Sequence, residues 1–159
     1  MNVSIYDMLY TYLYFVKCNL ISITEYVEFL HQQFLLYPEN ELLLELEWLS
    51  DDIYKSISIV EKQPINYQYF QQQLYEKLKE IYKEEVIFKS KRKKKLEQNV
   101  MLFCKRISTV YSNLPCDWRW ETYSFLFSIV EQFEIGLEYG NKKKSVNYFM
   151  NDFEKFIGL

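Results

Sequence analysis

Glycine, proline, cysteine and histidine are all scarce in this chain, with three Gly, three Pro, three Cys and one His in 159 residues. So few backbone breakers argue against turn-rich sandwiches and barrels and imply long helices. Disorder is excluded as well, because 49% of the residues are hydrophobic, and a domain of this size buries roughly 70% of its unfolded surface. Cys18, Cys104 and Cys116 are odd in number, far apart and part of no CxxC or Cys/His cluster. That spacing argues against a disulfide framework and a zinc site, so a reduced, cytoplasmic setting is expected.

The same scarcity bears on chemistry. His31 stands in a His-Gln-Gln context without an adjacent carboxylate or thiol, whereas acid–base or nucleophilic catalysis needs a titratable group held by an orienting partner. Gly136, Gly140 and Gly158 form no GxGxxG or GxxxxGK loop, so a phosphate cradle is not expected. One histidine cannot supply the repeated Glu-x-x-His pairs of a helical di-metal site. No catalytic residue, metal or cofactor is therefore expected, and the cysteines read as small core hydrophobes. No membrane partner is expected either. The apolar stretch from Ile5 to Ile23 is interrupted by Asp7 and Lys17, well short of the ~20 residues a spanning helix needs, and no basic region precedes it as in a signal peptide.

What is abundant is aromatic and helical. Aromatic residues make up 19% of the chain, mostly Tyr, which suits broad, half-buried helix faces. A first helix is predicted from about Ser4 to Lys17, apolar on nearly every side and so central in the core. Ser22-Ile-Thr-Glu25 has capping-box spacing for a second helix running to about Leu36. Asn40 is a good N-cap for a third, while Ser50-Asp51 either caps a fourth or lies inside one helix from Glu41 to about Glu61. Beyond Pro64, three further stripes repeat at about 100° per residue. They comprise Tyr67, Phe70, Leu74, Leu78, Ile81 and Phe88; then Leu96, Val100, Phe103, Ile107 and Val110; then Trp118, Phe125, Leu126, Ile129, Phe133 and Leu137. Asp117 is the expected N-cap of the last of these and Gly140 its C′ residue. Ser145 is read as the cap of a final helix carrying Val146, Met150, Phe153 and Ile157. No strand alternation or fixed-period repeat is present, so the expectation is one all-α domain over 1–159, an irregular bundle of seven or eight helices.

Net charge is only −3, but its distribution is uneven. From Asn19 to Glu61 nine acidic residues face the single Lys55, and from Lys89 to Arg106 eight basic residues face the single Glu97. A continuous helix over Glu41–Val60 would gather Glu41, Glu45 and Asp52 about 90° from its apolar stripe, with Trp48 beside them. A tryptophan among carboxylates suits a basic protein partner, the ring supplying desolvated area and the charges steering the encounter. The plainer alternative packs Trp48 under a neighbouring helix and leaves the carboxylates solvated. The basic run of Lys89, Lys91, Arg92, Lys93, Lys94 and Lys95 has the look of a nucleic-acid patch. The acidic chain and the want of an aromatic residue within the run disfavour nucleic acid as the partner, so a solvated helix junction is the alternative.

With Glu39-Asn-Glu-Leu-Leu-Leu-Glu-Leu-Glu-Trp-Leu-Ser50 placed on a helix, the chain resembles the small, acidic, helical immunity proteins of bacterial toxin–immunity systems. The resemblance rests on size, cysteine pattern, acidic helix and the lack of a catalytic set. It implies a non-enzymatic protein that binds a cognate toxin, often a basic nuclease, and blocks its active site or substrate surface, with Glu41, Glu45, Trp48 and Asp52 as contacts. The basic run departs from a uniformly acidic inhibitor surface. A phage- or plasmid-encoded inhibitor of a host defence system and a nucleic-acid-binding regulator using Lys89–Lys95 are the other classes left open.

Overall fold

The computed structural model describes residues 3–90, 93–115 and 120–159, with the side chains at 93–94 and 120–123 also outside the description. The protein is all-α. Its described helices are α1 (Ile5–Lys17), α2 (Ile23–Leu36), α3 (Glu41–Trp48), α4 (Ile53–Val60), α5 (Tyr67–Tyr82), α6 (Lys93–Asn113), α7 (Trp120–Tyr139) and α8 (Lys142–Phe156). A six-residue π-helical segment, Lys83–Phe88, continues α5. Among the described residues there is no strand, and no helix is long and apolar enough to cross a membrane. The chain divides into two compact units, 1–74 and 75–159.

In the first unit α1 is the central element, packed on α2 and α4, and Leu9, Tyr10, Leu13, Tyr14 and Phe15 are buried. Its start is fixed by a capping box in which Ser4 accepts from the Asp7 amide and the Asp7 carboxylate accepts from the Ser4 amide. Asp7 is itself buried, and its other oxygen accepts from the Asn66 amide at 2.6 Å. The charge that interrupts an apolar run in sequence is therefore a tie between the start of α1 and the turn entering α5. The end of α1 is a Schellman motif, with Asn19 in the left-handed region (φ 56°) and the amide of buried Leu20 donating to the Phe15 carbonyl. Tyr10 and Tyr14 pack edge-on against Phe70 at centroid distances of 5.3 and 5.8 Å, arrangements that add to area burial.

In the second unit α7 packs on α6 and α8, and Phe103, Tyr82 and Phe153 form a mutual cluster, with Phe103 5.3 Å from Tyr82 and 4.9 Å from Phe153 and the last two 5.2 Å apart. Gly136 permits the close approach of α7 and α8, since a Cβ there would collide with the Ser145 hydroxyl. The last helix begins earlier than its sequence suggests. Asn141, not Ser145, is the N-cap of α8, accepting from the Lys144 amide at 3.1 Å. Ser145 is buried one turn in and donates back to the Asn141 carbonyl. Gly140 does not take the left-handed C′ conformation; among the described glycines only Gly158 has positive φ. The predicted stripe of α5 is buried from Phe70 to Ile81, with Tyr67 exposed at its start, and then shifts. Phe88 lies exposed, and Val86 is buried in its place. The π segment explains this, because its wider turn pairs the Lys89 amide with the Glu84 carbonyl and brings i+5, from Ile81 to Val86, onto the inner face. Asp117, Trp118 and Cys116 lie outside the described residues.

Candidate protein-binding face

The acidic segment folds as two helices. Asn40 opens α3 by accepting from the Leu42 and Leu43 amides at 3.1 and 3.2 Å. At its other end the Leu49 carbonyl accepts from the Asp52 amide and from the Ser56 hydroxyl, which closes a turn where a continuous helix would have run on. Asp52, one residue later than the Ser50-Asp51 reading, is the N-cap of α4, accepting from the Lys55 amide at 3.0 Å. Its carboxylate also pairs with the Lys55 ammonium at 3.1 Å. Its pKa is held below the usual carboxylate range, first by the Lys55 backbone amide and then by the Lys55 side chain.

This corrects the expected geometry. On one continuous helix Asp52 would share a face with Glu41 and Glu45. The break places it on a different element, with its oxygens committed to a cap. The inner face of α3 is Leu43 and Leu46, with Leu42 only half-buried.

Glu41, Glu45 and Trp48 do share the outer face of α3. All three are exposed, and Trp48 has 82% of its surface open to solvent, so it does not pack under a neighbour. Leu44 belongs with them and was not singled out from the sequence. It is 44% exposed and stands one turn before Trp48, as i,i+4 spacing requires. The signal was there in the spacing, but four leucines in five positions concealed which one faced outward. On the neighbouring edge of α3, Glu47 pairs with His31 of α2 at 3.2 Å. His31 is thus an exposed bridging residue whose partner lies sixteen positions along the chain. The C-terminal end of α2 adds exposed Leu35, Leu36 and Tyr37, and Tyr54 is exposed on α4.

Of the basic run, Lys89 and Lys95 are exposed, whereas the side chains of Lys91, Arg92, Lys93 and Lys94 lie outside the described residues. The aromatic residue missing from within the run stands immediately before it, as exposed Phe88.

The other features with chemical interest are quieter. Between α7 and α8 lies a cavity of about 580 Å³, its polar wall including Gln132, Lys144 and Asp152 and its apolar wall Phe133 and Phe149. Among the described residues no three His, Cys, Asp or Glu side chains are grouped so as to hold a metal ion. Burial pushes the Cys18 and Cys104 thiols up to about 12, which keeps both far from the thiolate form a nucleophile needs. Compared with protein-family models, curated proteins and solved structures, the chain finds no match.

Proposed function

We propose that this all-α protein is a small binding protein that neutralises a partner protein by masking its active or substrate-binding surface, in the manner of a toxin-immunity protein, with α3 as the contact element. The observation that carries the reading is the exposure of Trp48, with Leu44 beside it and Glu41 and Glu45 on the same face. A solvated tryptophan is an unusual expense of apolar surface, and aromatic anchors at the centre of an interface supply much of its binding energy. The surrounding carboxylates favour a basic partner, such as a nuclease toxin, and speed the encounter. The protein acts without catalysis of its own and in the cytoplasm, the described thiols, Cys18 and Cys104, being buried.

The test is co-expression of the chain with a toxic protein encoded beside it, followed by kinetics on the purified pair. Trp48→Ala should leave the melting temperature unchanged and abolish protection. Its dissociation should accelerate by the roughly thirtyfold that corresponds to the ~2 kcal/mol loss of a hot-spot residue. Glu41→Gln with Glu45→Gln should slow association instead. If these folded variants bind the partner as tightly as the parent, α3 is not the contact element and the reading fails. A partner belonging to a host defence system would retain the masking mechanism and reassign the protein as a phage- or plasmid-encoded inhibitor.

A further inference from the structure

The second unit carries a surface of a different chemical character from α3. The π segment and α6 run antiparallel, and two side-chain contacts fix their register. Arg106 donates to both carboxylate oxygens of Glu85, at 2.9 and 3.3 Å, and Asn99 donates to Ser90 at 2.9 Å. Interpolating between these contacts sets residue 88 level with residue 102. Phe88 and Leu102 are both exposed, at 63% and 56%, and Ile87 is exposed beside them. On α6, Lys95, Leu102 and Lys105 fall on one outward arc at 100° per residue, and both lysines are exposed. Lys142, from the first turn of α8, joins them by pairing with Glu97 at 3.3 Å, and with Lys105 and Leu102 it lines one open depression. The fold thus gathers lysines from distant parts of the sequence around an apolar centre.

We propose that this face, with Phe88 and Leu102 at its centre and lysines around it, docks on an anionic lipid surface. Three features of the side chains select that occupant. The apolar centre sets a single ring, Phe88, beside aliphatic Leu102 and Ile87, a composition that inserts among acyl chains and lacks the successive rings on which a nucleic-acid strand stacks its bases. Apart from Arg106, which is paired with Glu85, the described cations around it are lysines, which keep their charge in water while their stems lie along apolar surface. Protein interfaces, by contrast, are enriched in Tyr, Trp and Arg and depleted in Lys, and among the described side chains it is α3 that carries a tryptophan. Stable attachment to a membrane surface takes two weak signals together, an apolar insertion and a basic cluster, and both are present here. The expectation of no membrane partner rested on the want of a spanning segment, which surface docking does not need.

The experiment is co-sedimentation of the full chain with vesicles of phosphatidylcholine alone or of phosphatidylcholine mixed with phosphatidylglycerol, over a series of salt concentrations. Binding is expected only to the mixed vesicles and should fall as salt rises. Phe88→Ala should weaken it about tenfold, the loss expected for withdrawing part of an aromatic side chain from an apolar medium. Leu102→Ser serves as an independent second variant, and circular dichroism verifies that each remains folded. Lys89→Gln, Lys95→Gln and Lys105→Gln combined should remove most of the salt dependence. Equal binding to phosphatidylcholine alone overturns the proposal, as does binding to mixed vesicles that neither apolar variant weakens. Retention on duplex DNA at a salt concentration that releases the vesicles also overturns it, and assigns the face to nucleic acid.

Discussion

Tyr14, Tyr26 and Tyr82 each bury an aromatic ring, but their hydroxyls meet different surroundings. Tyr14 donates to Glu61 at 2.6 Å and Tyr82 to Glu154 at 2.7 Å, whereas the buried Tyr26 hydroxyl has only the Ser56 hydroxyl, itself donating to the Leu49 carbonyl, as a polar neighbour and makes no hydrogen bond of good geometry among the described residues. An enclosed polar atom without a partner carries its desolvation cost uncompensated, and deleting it removes that cost. Tyr26→Phe is therefore expected to be neutral or stabilising in urea unfolding. Tyr82→Phe should destabilise by about 1–3 kcal/mol, because Glu154 is partly buried and loses its donor. Tyr14→Phe should cost less, since exposed Glu61 turns to water. A Tyr26→Phe that destabilised as much as Tyr82→Phe would mean that its hydroxyl is satisfied after all. The same three groups set an alkaline limit. Burial raises all three hydroxyls, Tyr26 to about 12, and the neighbouring carboxylates hold Tyr14 and Tyr82 well above the ordinary tyrosine value. A raised pKa means that the folded state holds its protons more tightly than the unfolded chain. The stability it contributes is complete below the unfolded value of about 10 and is lost as pH climbs from there toward the folded values. Thermal melts should fall steeply above about pH 10 and change little just below it.

At the scale of helices, local chemistry was legible where it was self-contained. The capping box at Ser22 and Glu25 forms as its spacing demands, with the Ser22 amide donating to Glu25 at 2.9 Å, and Asn40 caps α3 as read. What sequence could not fix were choices between equivalent local signals. Ser50, Asp51 and Asp52 are all competent caps, and Asp52 prevails because that register buries Ser56, Ile57 and Val60 together. At α8, capping by Ser145 would have left Lys142–Lys144 outside the helix, whereas Asn141 gains a full turn and lets Ser145 meet Gly136 across the interface. Phe88 left its stripe because a π turn changes the angular step, and no residue type announces such a turn. The candidate face was half legible for the same reason. The spacing of Glu41, Glu45 and Trp48 survives on one short helix, while Asp52 depended on a continuity that the turn at Leu49 breaks. The capping role of Asp52 has a pH signature. Its folded pKa is depressed, so the stability it contributes is present above the unfolded value near 3.9 and is lost as pH falls through the folded value. Against Asp52→Asn, which retains the cap but not the charge, the parent should be the more stable at neutral pH. The two should converge in acid, and melting temperatures across that range test it. A gap that persists below about pH 3 would assign the difference to geometry rather than charge.

Over the whole chain the two units differ in sign, −7 for residues 1–74 and +4 for 75–159, which together make the net −3. Charge of both signs on one molecule makes ionic strength a tool for telling local from distant contributions. At ~0.15 M salt the screening length is about 8 Å, so a basic partner approaching α3 senses little beyond the carboxylates around Trp48. At ~0.01 M the length grows to about 30 Å, and the net charge of the molecule acts on the partner along with the local charge. Two sets of variants should therefore separate in stopped-flow association with that partner. Glu41→Gln with Glu45→Gln should slow association at both salt concentrations, since these charges lie on the docking face. Lys95→Gln with Lys105→Gln makes the molecule as a whole more acidic, so it should speed association with a basic partner at low salt and matter less near physiological salt. Neither set should alter dissociation as much as Trp48→Ala, because steering charges act on the encounter whereas a desolvated anchor holds the complex. The converse result, in which the lysine variants slow association at both concentrations and the glutamate variants do not, would mean that the partner is acidic and docks on the second unit. Trp48 would then be exposed for some purpose other than this contact.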